Sequence, residues 1–494
     1  MTTLSSMAAA SGPASVVDWR PLVAFYLDQF LEFSGISSED VDRTEYWAAN
    51  ATAFSATGSW RAKIVGGKLF IKTIRMHAHW AERASVLRML LLALADGGIP
   101  DVDLIYAHAD NDPTPPPRRC ARQKRRGRPC EPTRRLPLFT NSRDPKSGGI
   151  PVPEFTWVGW GAAEPWCIQQ RRLDEAADAA PWSGRDRRLF FSGGLDNGHH
   201  RKALRALSLA ERAAGRTTEL RIRDVGSRFH RWGQFDRDQP SALRSALNTS
   251  AAKAVEALKA GGASRERALT RMTRDIERLH VRPVAATAAC SHQFSLNIPG
   301  FGYSSRLRSL LRCGGAVIDV KHSSYEFYMP LLKDNEHIFV LSGGKEPVRD
   351  ALLPLLRSLH SNISHAHAVA DAGRRFARSH LSFDAVIGYF RALLIGYAEM
   401  RKRGDGGRAQ HKWTDAELSA AGYTRVGTEA ELQELMGLCD RCSAGRRATP
   451  PKSCFAKENA LPACTLWAPK GGGRCFDARC CKGFDCATRS LGCS

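Results

Sequence analysis

The chain has 494 residues, enough for two or three domains that each bury a core, and its 43% hydrophobic and 25% charged residues are those of an ordinary folded protein. No apolar run approaches the roughly 20 residues needed to span a bilayer, which argues against a transmembrane segment in the sequence as written. The net charge of +22 suggests a polyanion partner, yet residues 118–135 hold nine Lys and Arg against one Glu, and residues 439–494 hold ten against four acids. The remainder is only mildly basic, the basic segments lack interleaved aromatics, and nucleic acid is not expected as a partner.

In chain order, residues 1–16 read as a tail. Trp19 to Phe33 carries Leu22, Phe25, Tyr26 and Phe30 at helical spacing. Ile64-Val65, Gly66-Gly67 and Leu69-Phe70-Ile71 predict a hairpin with a two-glycine turn. Trp80, Ala84, Leu87, Leu91 and Leu94 recur at helical intervals, Gly97-Gly98 ends that helix, and Val102 to Ala107 predicts a strand. This is one helix-strand unit of a Rossmann-like sheet, and Asp110 stands just past the carboxyl end of its strand, where ligands of open α/β sheets gather. Thr114 to Arg135 is a Pro- and Arg-rich insertion carrying Cys120 and Cys130, read as a loop rather than a core element.

A second α/β unit opens at Arg188. Leu189-Phe190-Phe191 predicts a strand, Ser192-Gly193-Gly194 a tight turn, Arg201 to Ala214 a helix and Glu219 to Asp224 a further strand. Residues 240–280 read as charged, peripheral helices. From Cys290 the chain predicts a short strand ending at Asn297, a turn bearing Gly300 and Gly302, a helix from about Ser304 and a buried strand from Ala316 to Val320. A strand, glycine turn and helix present free N–H groups to an anion, and Arg306 adds a guanidinium fork in the first turn: in outline, a nucleotide-phosphate site. Past the strand at His337 to Leu341, two amphipathic helices follow, one with Ala366, Val369, Gly373 and Phe376, the other from Phe383 to Met400.

From Arg401 the composition changes. Gly404 to Lys412 reads as a linker, Trp413 to Gly437 as short helices, and nine of the 14 cysteines then fall between Cys439 and Cys493. Cys464, Cys475, Cys480, Cys481, Cys486 and Cys493 have the order of a knottin framework; disulfides are the first reading, with a zinc site at Cys439 and Cys442 or an unstructured tail as alternatives. Sequons at Asn50, Asn248 and Asn362 permit glycosylation, whereas the N-terminus shows no clear signal peptide.

The order Cys290, Asn297, Gly300, Ser304-x-Arg306-Leu307, Leu310-Leu311, Gly314-Gly315-x-Val317 and Tyr325-Glu326-Phe327-Tyr328-x-Pro330-x-Leu332-Lys333 resembles the Rumi-like protein O-glucosyltransferases. They belong to glycosyltransferase family 90, which also holds fungal capsule-associated xylosyltransferases and bacterial lipopolysaccharide-modifying enzymes. The resemblance covers roughly residues 63–400, including the Pro- and Trp-rich segment Pro151 to Trp160, whose aromatics read as packing residues.

The resemblance implies an α/β fold of GT-B type, with two Rossmann-like domains facing a cleft and a small Cys-rich C-terminal module. The expected divisions are a tail and helix over 1–60, an acceptor domain over 61–180 with the basic insertion 114–135, a nucleotide-sugar domain over 181–403, a linker over 404–438 and the Cys-rich tail over 439–494. It implies an inverting transfer of glucose or xylose from a UDP-sugar to a hydroxyl of a protein or glycan, by a monomer in the endoplasmic reticulum or Golgi lumen, with no metal and no cofactor beyond the donor. Asp110 falls on the family's base, with Asp112 as competitor. Ser192, Gly193, Gly194, Arg201, Asn297, Gly300, Ser304, Ser305 and Arg306 are the expected donor-binding residues. Glu326 would either bind the ribose or cap the following helix. Two family arginines are replaced, by Ser192 and Pro299, so the alternative is an inactive member that binds polyanions or carbohydrate.

Overall fold

The computed structural model describes residues 17–50, 58–75, 86–95, 97–108, 113–114, 135–157, 166–195, 198–215, 219–224, 286–300, 302–321, 324–342, 346–408 and 411–427. Asp110, Asp112, the bulk of the basic insertion, the helices expected at 240–280 and the Cys-rich tail lie outside these residues.

The strands are β1 (Ser59–Val65), β2 (Lys68–Arg75), β3 (Val102–Ala107), β4 (Leu138–Thr140), β5 (Ile150–Pro151), β6 (Asp186–Gly193), β7 (Leu220–Asp224), β8 (His292–Asn297), β9 (Ala316–Val320), β10 (Phe339–Leu341) and β11 (Thr424–Val426). They form two sheets, a six-stranded one ordered β11-β2-β1-β3-β4-β5 and a five-stranded one ordered β10-β9-β8-β6-β7. The expected hairpin is β1 and β2, closed by Gly66 and Gly67 at positive φ. The first sheet departs from a Rossmann-like one: β3 lies antiparallel to β1, and only β3, β4 and β5 run parallel. The reason is that β1 and β2 form a hairpin. After the helix Val86–Ala95 the chain returns along the free side of β1 in the opposite sense.

The second sheet is parallel throughout. Its strands are buried on both faces and accordingly read as apolar runs; Phe294, Leu296, Ile318, Val320 and Leu189 are all at most 1% exposed. The helix Arg306–Cys313 crosses from β8 to β9 and stops at Gly314, whose φ of 68° suits a glycine C-cap. Cys290 and Cys313 form a disulfide that closes this strand-turn-helix unit on itself.

The helices Ile363–His380 and Phe383–Gly404 bring the chain back from the second sheet to the first. The Tyr389 hydroxyl donates to Pro151 O at 2.8 Å, Tyr397 to Asp103 O at 3.3 Å, and Arg391 to Gly97 O at 2.7 Å. A backbone bridge between Arg143 and Tyr325 adds a direct tie between the two halves, and one buried core runs through both, from Trp60 and Leu104 to Leu307 and Val317. The segment expected as a linker is partly structural: the helix Asp415–Ala420, closed by a Thr414–Glu417 capping box, leads into β11 on the outer edge of β2. Among the described residues no single helix is long and apolar enough to cross a membrane.

Candidate functional site

In the second sheet the chain runs from β6 outward to β7, then returns to lay β8 on the other side of β6. The connections change direction between β6 and β8, and the carboxyl ends of those two strands flank the crevice where such sheets bind ligands. The ends are Ser192-Gly193 and Leu296-Asn297. Ser192 and Gly193 therefore finish a strand, where a turn was expected.

Two arginines converge on this point. Arg306, half-buried, donates from Nη1 to Ser192 O at 2.6 Å, from Nη2 to Ile298 O at 2.9 Å and from Nε to Ser304 Oγ at 3.2 Å. Its guanidinium lies 4.7 Å over the Phe191 ring and against Gly193, where an added Cβ would collide with Nη1. A side chain there would displace the guanidinium and press on the Phe191 ring. Arg201, 8% exposed, donates to Pro299 O at 3.0 Å, Gly194 O at 3.1 Å and Ile298 O at 3.2 Å. Both side chains thus share the Ile298 carbonyl, and among the described residues neither meets a carboxylate.

Burial pulls the Arg306 guanidinium down to about 9, with the Arg201 charge adding to the effect, and burial alone pulls Arg201 down to about 10. Both remain cationic at neutral pH, so two like charges are held together against neutral carbonyls.

The helix Arg306–Cys313 shows how unusual this is within its own length. It carries three arginines, and two have their own carboxylate. Arg312 forks onto Asp174 at 3.0 and 2.6 Å. Arg308, 3% exposed, lies 3.2 Å from Glu154 and sends Nη2 to Thr156 Oγ1 at 2.6 Å, with the indoles of Trp157 and Trp166 at 4.1 and 4.9 Å. Buried charges are normally paired. Arg306 is the exception on this helix, and it stands in the first turn, where unpaired N–H groups favour an anion. An anionic ligand would complete the set.

A cavity of about 240 Å³ opens beside it, and its polar lining is Ser192, Ser305, Arg306, Thr156, Gln169 and Arg308 among others. Of the expected donor residues, Ser192, Ser305 and Arg306 line this cavity, while Gly193, Gly194, Arg201, Gly300 and Ser304 hold its arginines or the turn beside them. Gly300 N closes the turn on Tyr303 O at 3.3 Å. Asn297 has a different place: it is buried at 1% exposure, spans to Asp319 Oδ1 at 2.6 Å and ties β8 to β9. Arg308, Glu154, Thr156 and Gln169 escaped the sequence reading. The signal was present in two dense clusters, Arg306-x-Arg308 and Glu154-Phe155-Thr156-Trp157, but nothing local says that they meet.

Glu326 also lies off the cavity. It is 1% exposed and accepts from the Tyr328 hydroxyl at 3.1 Å. Burial raises its carboxyl to about 8, against the opposing pull of Arg308. From its ordinary value near 4.5 up to about 8, the folded protein keeps a proton that the unfolded chain has released. Folding stability therefore falls as pH rises through that window, by up to about 1.4 kcal/mol per pH unit. Melting midpoints measured from pH 5 to 8 are expected to decline, and Glu326→Gln is expected to flatten the decline; an unchanged slope in the variant would assign it to another group. Among the described residues no group of three or more His, Cys, Asp or Glu is placed to hold a metal.

The family model for glycosyl transferase family 90 matches residues 34–420, which contain the arginine pair and every strand of the two sheets except β11. The human protein O-glucosyltransferase 1 is 29% identical over 110 residues, 22% of this chain and 27% of that protein. The O-glucosyltransferase rumi of Drosophila pseudoobscura pseudoobscura is 25% identical over 272 residues, 53% of this chain and 55% of its own length. The chain thus spans between about a quarter and about half of the length of these curated relatives.

Proposed function

The chain belongs to glycosyl transferase family 90, and from that premise we propose that it moves a single sugar, glucose or xylose, from a UDP-sugar to a hydroxyl of a protein or glycan, with inversion at the anomeric carbon. The observation that carries this reading is Arg306: a cation beside Arg201 with no carboxylate partner among the described residues, at the switch point of a parallel sheet and on the first turn of a helix. A diphosphate supplies the missing charge. In the transfer the acceptor oxygen attacks the anomeric carbon and the bond from that carbon to the β-phosphate oxygen breaks. UDP leaves with the bonding electrons, and the acceptor proton passes to a base.

Arg306, Arg201 and the helix N–H groups would meet the charge that develops on the departing diphosphate, the part a divalent cation plays elsewhere. The base is assigned to Asp110, beyond the carboxyl end of β3. The donor then sits on the unit of the second sheet and the acceptor on that of the first, as in a GT-B enzyme. The Cys290–Cys313 disulfide favours an oxidising compartment, in keeping with a secretory lumen.

UDP release from a panel of UDP-sugars, measured with EDTA present throughout, tests the reading. One donor, glucose or xylose, is expected to turn over and to be indifferent to the chelator. Failure to bind UDP, together with steeply salt-dependent binding to heparin, would instead establish a polyanion-binding protein.

A further inference from the structure

The lining of the cavity that holds Arg306 also contains a hydroxyl whose polarity is fixed, that of Thr156. Thr156 Oγ1 receives the Arg308 Nη2 proton at 2.6 Å and gives its own proton to Glu154 Oε1 in a short hydrogen bond. A threonine hydroxyl has one proton and two lone pairs, so the proton and one lone pair are already committed. What it has left for the cavity is a single lone pair.

The surroundings hold this arrangement in place. Glu154 is fully buried and takes the Thr156 backbone N–H on its second oxygen at 2.7 Å, while Arg308 lies against the two indoles. The hydroxyl cannot turn over to become a donor without breaking the Arg308–Thr156–Glu154 chain. A ligand group that meets Thr156 must therefore bring a hydrogen. Gln169, a second polar side chain, lines the same cavity. The volume of about 240 Å³ is below the roughly 300–1,000 Å³ of pockets for drug-sized ligands, which suits one sugar ring rather than a chain of them.

We propose that Thr156 is a specificity residue for the sugar of the donor: held as an acceptor by Arg308 and Glu154, it takes a hydrogen bond from one ring hydroxyl. This rests on the reading of the Arg306 site as the diphosphate cradle, from which the sugar extends along the cavity to Thr156. It requires a sugar with a free hydroxyl at that position and disfavours a deoxy, fluoro or O-substituted one, because the lone pair held to accept would meet no donor on the ligand.

The test uses the full chain, the donor it turns over, and the analogues of that donor in which each ring hydroxyl in turn is replaced by hydrogen or fluorine. Wild type is expected to lose at least about tenfold in kcat/KM at one ring position, with fluorine no better than hydrogen because fluorine cannot donate. Thr156→Val is expected to erase the preference at that position alone, by slowing the parent donor and sparing the analogue, and Thr156→Ser, which keeps the hydroxyl, to restore it. UDP affinity, measured separately, is expected to be unchanged in both variants and serves as the check that they fold. If wild type and Thr156→Val bind UDP alike and rank the analogues alike, Thr156 does not read the sugar. If wild type binds no UDP at all, the diphosphate cradle itself is wrong and the inference falls with it.

Discussion

Replacing Arg306 by alanine is expected to lower UDP affinity and kcat/KM by at least about a hundredfold while leaving the folded protein as stable as before or more so. Three of its donors end on Ser192 O, Ile298 O and Ser304 Oγ, so without ligand the side chain is parked on neutral groups beside a second cation. Its removal takes away a desolvated charge and a repulsion with Arg201, which costs the fold little. With ligand it also takes away a fixed fork for the diphosphate, of the kind whose loss costs about 10²–10³ in rate when charge develops on the leaving group. Arg306→Lys is expected to recover only part of the activity, because a lysine presents a point charge without the planar fork. Isothermal titration with UDP, paired with thermal melting, checks both halves. Unchanged UDP affinity in Arg306→Ala would remove the donor site from this end of the sheet.

The candidate site was legible where its information is local and hidden where it depends on pairing across the chain. The strands β6, β8 and β9, the glycine at the end of the helix and Arg306 itself all follow from spacing within about 30 residues, because a buried parallel strand has no polar face and must be written as an apolar run. Arg308 lies two positions from Arg306 and has the same local sequence signal. Its burial rests on Glu154, Thr156 and two tryptophans contributed from more than 140 residues upstream.

The order of the first sheet was lost for a related reason. The helix before β3 suggested a parallel crossover, yet the partner that β3 finds is β1 of the preceding hairpin, with which it runs antiparallel. At three residues, β11 is too short for any periodicity and becomes a strand only because the edge of β2 is free to receive it. The Cys290–Cys313 disulfide was overlooked because the cysteine density lies elsewhere, in a tail outside the described residues.

The largest loss is expected from Asp110→Asn. In the proposed inverting displacement no covalent intermediate stores the sugar, so the acceptor hydroxyl must lose its proton as it attacks, and a positioned base contributes about 10²–10⁴ to that step. Asp110 stands three residues beyond the end of β3, a strand whose parallel pairing with β4 directs both carboxyl ends the same way. Asparagine keeps the size and the hydrogen-bonding oxygen but has no basicity. The variant should therefore bind UDP as the wild type does, since the arginine pair sits on the other sheet, and lose kcat by about 10²–10⁴. Asp112→Asn is the control, being two residues on and of the same chemistry. Full activity in Asp110→Asn with loss in Asp112→Asn would move the base by two residues and leave the mechanism standing. Full activity in both would mean that the proton leaves by another route, and the acceptor side would then have to be sought elsewhere.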